Sequence, residues 1–223
     1  FLNEVIVVEG TTEPDTESIS LIQEAFGLAL TTETQWHTMF WLSGNGANGK
    51  STLLHVLSAL LGPLAAHMDF DALTRPNAEY YLAKVASARV IVAAESSGTR
   101  VADGTMKSLA SGEPIMARPI RGEPITIHPV AKIFWAMNEL PPVRDGSDGF
   151  WRRLRLIPFH RQFGENERDL LLAEKLKSEL PGILNWALAG LKRLRAQGAL
   201  TASRSAATAG EEYRTSQSSP AMW

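Results

Sequence analysis

The sequence predicts an α/β protein with a mainly parallel central sheet covered by helices, plus flanking helical segments. Two observations carry this. Short apolar runs of strand length (HTMFWLS, RVIVAAE, AKIFWAMN, WRRLRLIPF) alternate with stretches of helical periodicity. Such near-continuous apolarity suits strands buried on both faces, and parallel strands need crossover helices to cover them. Helical spacing also clusters at both ends of the chain, which adds the flanking segments.

The elements follow in order. VIVV reads as a short opening strand and TTEPD as a turn. ESISLIQEAFGLAL is an amphipathic helix, with Ile19, Ile22, Phe26 and Ala29 near helical spacing. HTMFWLS is the first buried strand. A glycine loop follows, then KSTLLHVLSALLG, a helix stopped by Gly62-Pro63. DFDALTRPNAEYYLAKV is a helix or a loop and helix, and RVIVAAE a second buried strand. A helix centres on Met106 to Ala110. IMARPIRGEPITI reads as a hairpin turning at Arg121-Gly122, its flanks weakened by Pro119 and Pro124. AKIFWAMN and WRRLRLIPF are the third and fourth strands, joined by the loop ELPPVRDGSDG. The tail carries ENERDLLLAEKLKSEL, a break at Pro181-Gly182, then ILNWALAGLKRLRAQ capped by Gly198. Residues 1–36 are expected to form an N-terminal helical segment, 37–162 the core, 163–200 a C-terminal helical segment, and 201–223, rich in Ser, Thr and Ala, a flexible tail.

Composition narrows the function. Cysteine is absent, which excludes disulfides and thiolate zinc sites. The five histidines lack close metal-ligand spacing. No apolar run reaches the ~18 residues of a membrane span, so no membrane partner is expected. Phe at position 1 and the stop after SSPAMW read as a piece excised from a longer chain. The net charge of −2 hides a gradient: residues 1–40 hold seven acids and no Lys or Arg, whereas residues 100–161 hold ten Lys or Arg against six acids. The basic stretch suits a local anion track, or is plain unevenness.

The loop GNGANGKST fits Gly44-x4-Gly49-Lys50-Ser51, the pattern that holds nucleoside triphosphates. Glycines let backbone N–H groups converge on phosphate oxygens, and the helix starting near Lys50 adds its dipole. Residues Gly44, Asn45, Gly46, Ala47, Asn48, Gly49, Lys50, Ser51 and Thr52 are therefore the candidate nucleotide site. Lys50 is expected to reach the β- and γ-phosphates, and Ser51 to ligate Mg²⁺. A chance match in a glycine-rich turn is the alternative, and the position between strand and helix argues against it.

A hydrolase of this type needs an acid at a neighbouring strand end, to hold the metal shell or polarise water. Glu95 stands there, reaching Mg²⁺ through water. It lacks an adjacent acid, so it serves both roles or is helped by Asp103 or a water; Asp69 and Asp71 are fallbacks. Asn138 ends the third strand, where an amide can orient the attacking water or simply cap a turn. Arg152 and Arg153 are candidates to stabilise the transferred phosphoryl group from a neighbouring subunit, or to pair with Asp145 or Asp148.

FWLSGNGANGKSTLL, RVIVAAESS and the run from Met106 to Phe159 together resemble a superfamily 3 helicase. More closely, they resemble the C-terminal helicase domain of phage- and plasmid-type primases, related to the poxvirus primase-helicase. The resemblance covers roughly residues 15 to 200. It implies an AAA+-type ATPase using ATP and Mg²⁺, a homo-oligomeric ring, usually hexameric, around single-stranded DNA, and a possible primase domain in the same parent chain. It implies a cytoplasmic setting in a bacterial cell or phage-infected host. By position, Glu95 is the acidic motif, Asn138 the sensor and Arg153 the first choice for the trans arginine, with Arg152 second. Lys107 falls in an additional DNA-contacting motif, and Arg118 and Arg121 on the DNA-contacting hairpin. That hairpin offers no aromatic stacking platform, so sequence specificity is not expected. A small-molecule kinase with the same loop, or a nucleotide-binding assembly module, are the other readings; stimulation of hydrolysis by single-stranded DNA separates the three.

Overall fold

A computed structural model of the protein describes residues 1–94 and 101–217. Among these residues a five-stranded sheet forms from β1 (Met39–Ser43), β2 (Ala65–His67), β3 (Val90–Ala94), β6 (Lys132–Met137) and β7 (Leu154–Pro158). The order is β2-β3-β6-β1-β7, every neighbouring pair parallel. The strand between β1 and β3 is therefore one that arrives much later in the chain. Ser43 lies opposite both Met137 and Pro158, and Ala94 opposite Ala136, so four strand tips share one edge. A separate antiparallel pair, β4 (Ile115–Ala117) and β5 (Ile125–Ile127), is the expected hairpin.

The helices are α1 (Leu2–Val5), α2 (Thr16–Ala29), α3 (Lys50–Leu61), α4 (Ala78–Ala83), α5 (Asp103–Ser111), α6 (Asp148–Trp151), α7 (Leu172–Ser178), α8 (Leu180–Gln197) and α9 (Arg204–Gln217). None of the described helices is long and apolar enough to cross a membrane. Successive side chains of a strand point to opposite faces, and the core divides accordingly. Phe40, Leu42, Phe134, Ala136 and Ile157 pack with Phe26, Leu53, Leu57 and Leu191 on the α2, α3, α8 face. Met39, Trp41, Ile133, Trp135 and Leu156 pack with Phe70, Met106, Phe150 and Tyr213 on the other. Phe40 stacks on Phe134 at 5.0 Å, and Trp41 meets Trp135 edge-on at 4.9 Å. Both central strands are thus lined with aromatics on both faces, which is why neither shows a polar alternation.

The N-terminal and C-terminal helical segments belong to one packed layer. Helices α2 and α8 approach until backbone meets backbone: a Cβ on Gly27 would lie 2.6 Å from the Ala187 carbonyl oxygen, and one on Gly190 2.5 Å from that of Gln23. Beside this crossing Glu24 is fully buried. Its carboxylate accepts from Arg193 Nε (2.8 Å), Gln197 Nε2 (2.9 Å), Thr201 Oγ1 (2.6 Å) and Thr201 N (2.7 Å). A buried charge is tolerable only with such a full set of donors.

The structure departs from the sequence reading in five places. VIVV is not a strand: Val5 closes α1, and Val7 makes an isolated bridge to Pro14. The short edge strand β2 has no apolar run to announce it. The helix break falls at Glu179, and Pro181 sits in the first turn of α8, where its missing N–H costs nothing. Trp151 and the two arginines precede β7 rather than start it. The tail is helical over 204–217: α9 buries Ala206 and Tyr213, two turns apart on one face. The Tyr213 hydroxyl donates to the Pro141 carbonyl, and its ring meets Trp151 at 5.3 Å and Trp41 at 6.1 Å. One well-placed aromatic outweighs a polar composition.

Two predictions follow from packing and burial. Gly190→Ala gains helix propensity but forces the α2 backbone away; it is expected to lower stability by roughly 1–3 kcal/mol in urea titration. Lys132 is buried at the start of β6, donating to the Val130 carbonyl at 2.6 Å, and burial pushes its pKa down to about 8. From about pH 8 to 10.5 the unfolded chain holds a proton that the folded chain has released, so this group's contribution to stability rises with pH. Relative to Lys132→Met, the parent is expected to gain roughly 3 kcal/mol between pH 7 and pH 10.5, read from paired urea titrations.

Candidate nucleotide site and hairpin surface

β1 delivers the chain to the sheet edge at Ser43, and α3 carries it away from Lys50. Between them the loop is held tightly. Gly44 has φ +147°, and a Cβ there would lie 2.5 Å from the Phe159 carbonyl oxygen. Gly49 has φ +88° and caps α3, with space for a Cβ already taken by Val5 Cγ1 at 2.8 Å. The Asn48 side chain donates to the Asn45 carbonyl. The segment after β7 supports the loop from outside: Phe159 N donates to Ser43 O (2.8 Å), Gln162 Nε2 to Gly46 O (3.1 Å) and Phe163 N to Ala47 O (2.9 Å). Asn45, Gly46 and Ala47 are exposed, so the loop's outer surface is open.

Lys50 is nearly fully buried. Its ammonium group donates to the Gly44 carbonyl, to Asn48 Oδ1 at 3.0 Å and to Asn138 Oδ1 at 3.2 Å. The last contact joins residues 88 apart in sequence and exists because β6 lies beside β1. Ser51 is exposed and Thr52 half-buried in the first turn of α3. A cradle whose Gly44 and Gly49 have no room for side chains, a buried ammonium at its mouth, a helix N-terminus behind it and an exposed hydroxyl beside it fit a Mg²⁺-bound triphosphate. Lys50 would take phosphate oxygens and Ser51 the metal. A cleft of about 570 Å³ opens next to the loop, lined by Ser43, Gly44, Asn138, Phe159, Glu212 and Tyr213. α9 therefore forms one wall of it. Nothing in the local sequence marked Gln162, Phe163 or α9 as neighbours of the loop; only the fold brings them there.

Glu95 lies outside the described residues. Of the fallback acids, Asp69 accepts from Asp71 N and Asp71 pairs with Arg75, so both are engaged before α4. Asp103 starts α5; burial raises its pKa, and its Oδ2 accepts from Asp145 N at 3.0 Å.

Arg153, the first choice for the trans arginine, is 6% exposed in the single chain. Its guanidinium donates to Ser111 Oγ at 2.9 and 2.8 Å and to the Gly149 carbonyl, tying α5 to α6. Arg152 is the exposed member of the pair. The acids that might have paired with them have other partners: Asp145 holds Lys107 at 2.5 Å and Asp148 holds Arg214 at 2.6 Å. Lys107 and Ser147 keep the Asp145 carboxyl low, at about 2. Lys107 is thus engaged inside the chain, half-buried, rather than displayed.

Arg118 and Arg121 are exposed on the hairpin, Arg121 at its turn with φ +60°. Arg118 Nε donates to the Gly122 carbonyl at 3.2 Å, and Arg118 N to the Glu79 carbonyl at 3.0 Å, fastening hairpin to α4.

The sheet order and the loop define the class: a P-loop NTPase fold, with a mainly parallel sheet in which β6 is inserted between β1, which leads into the loop, and β3. Residues 42–153 match the model of a family described as "Family of unknown function (DUF5906)", and the chain belongs to that family. It is similar to "Putative helicase L207/L206" of Acanthamoeba polyphaga mimivirus, 33% identical over 182 residues that cover 78% of this chain and 19% of the viral protein. It is also similar to "Putative helicase 022R" of Frog virus 3 (isolate Goorha), 27% identical over 135 residues covering 56% of this chain and 14% of that protein. The chain spans less than a fifth of the length of these relatives. Among solved structures, the apo C-terminal region of NrS-1 superposes with a TM-score of 0.68 at 13% identity, over 96% of this chain and 54% of that one. That likeness is one of fold. The resemblance read from the sequence thus leads to proteins that carry the name helicase.

Arg153→Ala leaves the Ser111 hydroxyl and Gly149 carbonyl without their buried donor. It is expected to lower stability by about 2–3 kcal/mol in denaturant unfolding, whereas Arg152→Ala leaves the unfolding midpoint within error.

Proposed function

We propose that this chain is the motor domain of an ATP-dependent DNA helicase or translocase, acting as a ring within a longer replication protein. The observation that carries the reading is the 3.2 Å contact between Lys50 Nζ and Asn138 Oδ1. It brings the Lys50 ammonium and the Asn138 amide together at the sheet edge, which supports a site where the first holds phosphate and the second orients water for hydrolysis. A small-molecule kinase has no need of such an amide. The helicase names of the viral relatives support the same reading.

The roles follow from chemistry. Lys50 and the α3 N-terminus hold charge on the phosphates. Bound through Ser51, and through Glu95 by way of water, Mg²⁺ would supply further neutralisation of developing charge. Asn138 aligns the attacking water. Arg152, exposed before β7, reaches the nucleotide of the adjacent subunit, so activity depends on a closed ring, hexameric by resemblance. Arg118 and Arg121 line the ring's interior and follow the strand's phosphates; Lys107 supports them through α5. A primase domain in the same parent chain and a cytoplasmic setting belong to the same proposal.

In the longer parent protein, single-stranded DNA is expected to stimulate ATP hydrolysis, and Lys50→Ala to reduce it to background. Arg152→Ala is expected to lower turnover by about 10³-fold or more while sparing nucleotide binding. Mixing the two variants restores partial activity, because some interfaces then combine an intact Lys50 with an intact Arg152. A parent protein whose hydrolysis ignores DNA would sink the proposal.

A further inference from the structure

The hairpin and α4 face one another across an open cleft of about 620 Å³. Tyr80 and Tyr81 line it from α4 and Lys84 from that helix's C-terminal cap, with Arg118, Ile120 and Arg121 from the hairpin. Three cations and two aromatic rings thus share one groove, and none of its described lining residues is acidic. The two tyrosines differ. Tyr81 leans on the core beneath, with the Lys84 ammonium 5.7 Å above its ring. Tyr80 is half-buried and takes no part in either core cluster. Ile120, which stands 76% exposed, is an apolar side chain displayed beside the two hairpin arginines. The walls hold their spacing through the hydrogen bond from Arg118 N to the Glu79 carbonyl, 3.0 Å long.

We infer that this cleft binds single-stranded DNA, with a base stacked on Tyr80 against Ile120 and adjoining phosphates held by Lys84, Arg118 and Arg121. The site rests on the translocase reading above. It supplies the aromatic surface that the hairpin sequence lacks, from a helix some forty residues earlier. Aromatic rings are useful only to a strand whose base faces are free, which a duplex hides. Cations at the rim match a backbone of regularly spaced negative charge. Stacking is indifferent to base identity, so the groove favours single strands without choosing a sequence.

The test uses the full-length parent protein and fluorescence anisotropy with labelled oligo(dT), its abasic counterpart and a duplex of equal length. The parent is expected to prefer oligo(dT) over the abasic strand by about tenfold, the effect of one stacked base. Tyr80→Leu, checked for an unchanged melting temperature, loses that preference, and Tyr80→Trp keeps it. Arg121→Ala weakens both strands alike and flattens the dependence of log affinity on log salt by about 0.7. No preference for bases in the parent, an undiminished preference in Tyr80→Leu, or tighter binding of the duplex that Tyr80→Leu leaves intact would each overturn the cleft assignment while leaving a DNA-stimulated motor standing. A parent that binds no DNA at all overturns the translocase reading itself, and the cleft with it.

Discussion

The position of one ammonium group constrains much of this molecule. Lys50 is buried at the edge of a parallel sheet, and a cation there survives only if oxygens surround it. The Gly44 carbonyl, Asn48 and Asn138 provide them. Each imposes a demand. Gly44 must turn sharply under Phe159, Asn48 must be pinned by the loop itself, and β6 must lie directly against β1. The parallel order, with a late strand inserted beside the first, is the arrangement that brings Asn138 within reach.

The rest of the fold keeps that edge rigid. Aromatic residues fill both faces of β1 and β6, so the strands cannot slide without opening dense packing on two sides. Outside the sheet, the segment after β7 holds the loop by three hydrogen bonds, and α1 closes over Gly49. On the helical side, two glycines let α2 and α8 meet at backbone distance, and Glu24 links α8 and the turn after it to α2. α9 ends this arrangement by placing Tyr213 against Trp41 and forming a wall of the cleft beside the loop.

A second set of contacts runs along the other face. Asp103 meets the backbone of Asp145, Asp145 holds Lys107, and Arg153 ties Ser111 to Gly149. Together they couple α5, which leads into the hairpin, to the stretch between Asn138 and β7. Arg153 is buried in this arrangement, while its neighbour Arg152 is exposed. The hairpin in turn is fastened to α4, which brings tyrosines to the basic surface.

Much of the site was legible because it is local. GNGANGKST states its own geometry: Gly44 and Gly49 where Cβ atoms cannot fit, a lysine and a serine opening a helix. Four of the apolar runs likewise state buried strands, VIVV being the exception, and IRG states a hairpin turn. What stayed hidden was what depends on partners remote in sequence. Arg152 and Arg153 are the same residue type side by side, and only the packing of α5 against α6 makes one interior and the other exposed. The tail's polar composition conceals a helix because a single tyrosine finds a pocket between tryptophans. Sequence alone determined the loop, the strands and the chemistry they can support, since these follow from backbone freedom and periodicity. Tertiary structure decided strand order, which arginine is displayed and what faces the hairpin, because each depends on which distant surfaces exclude water together.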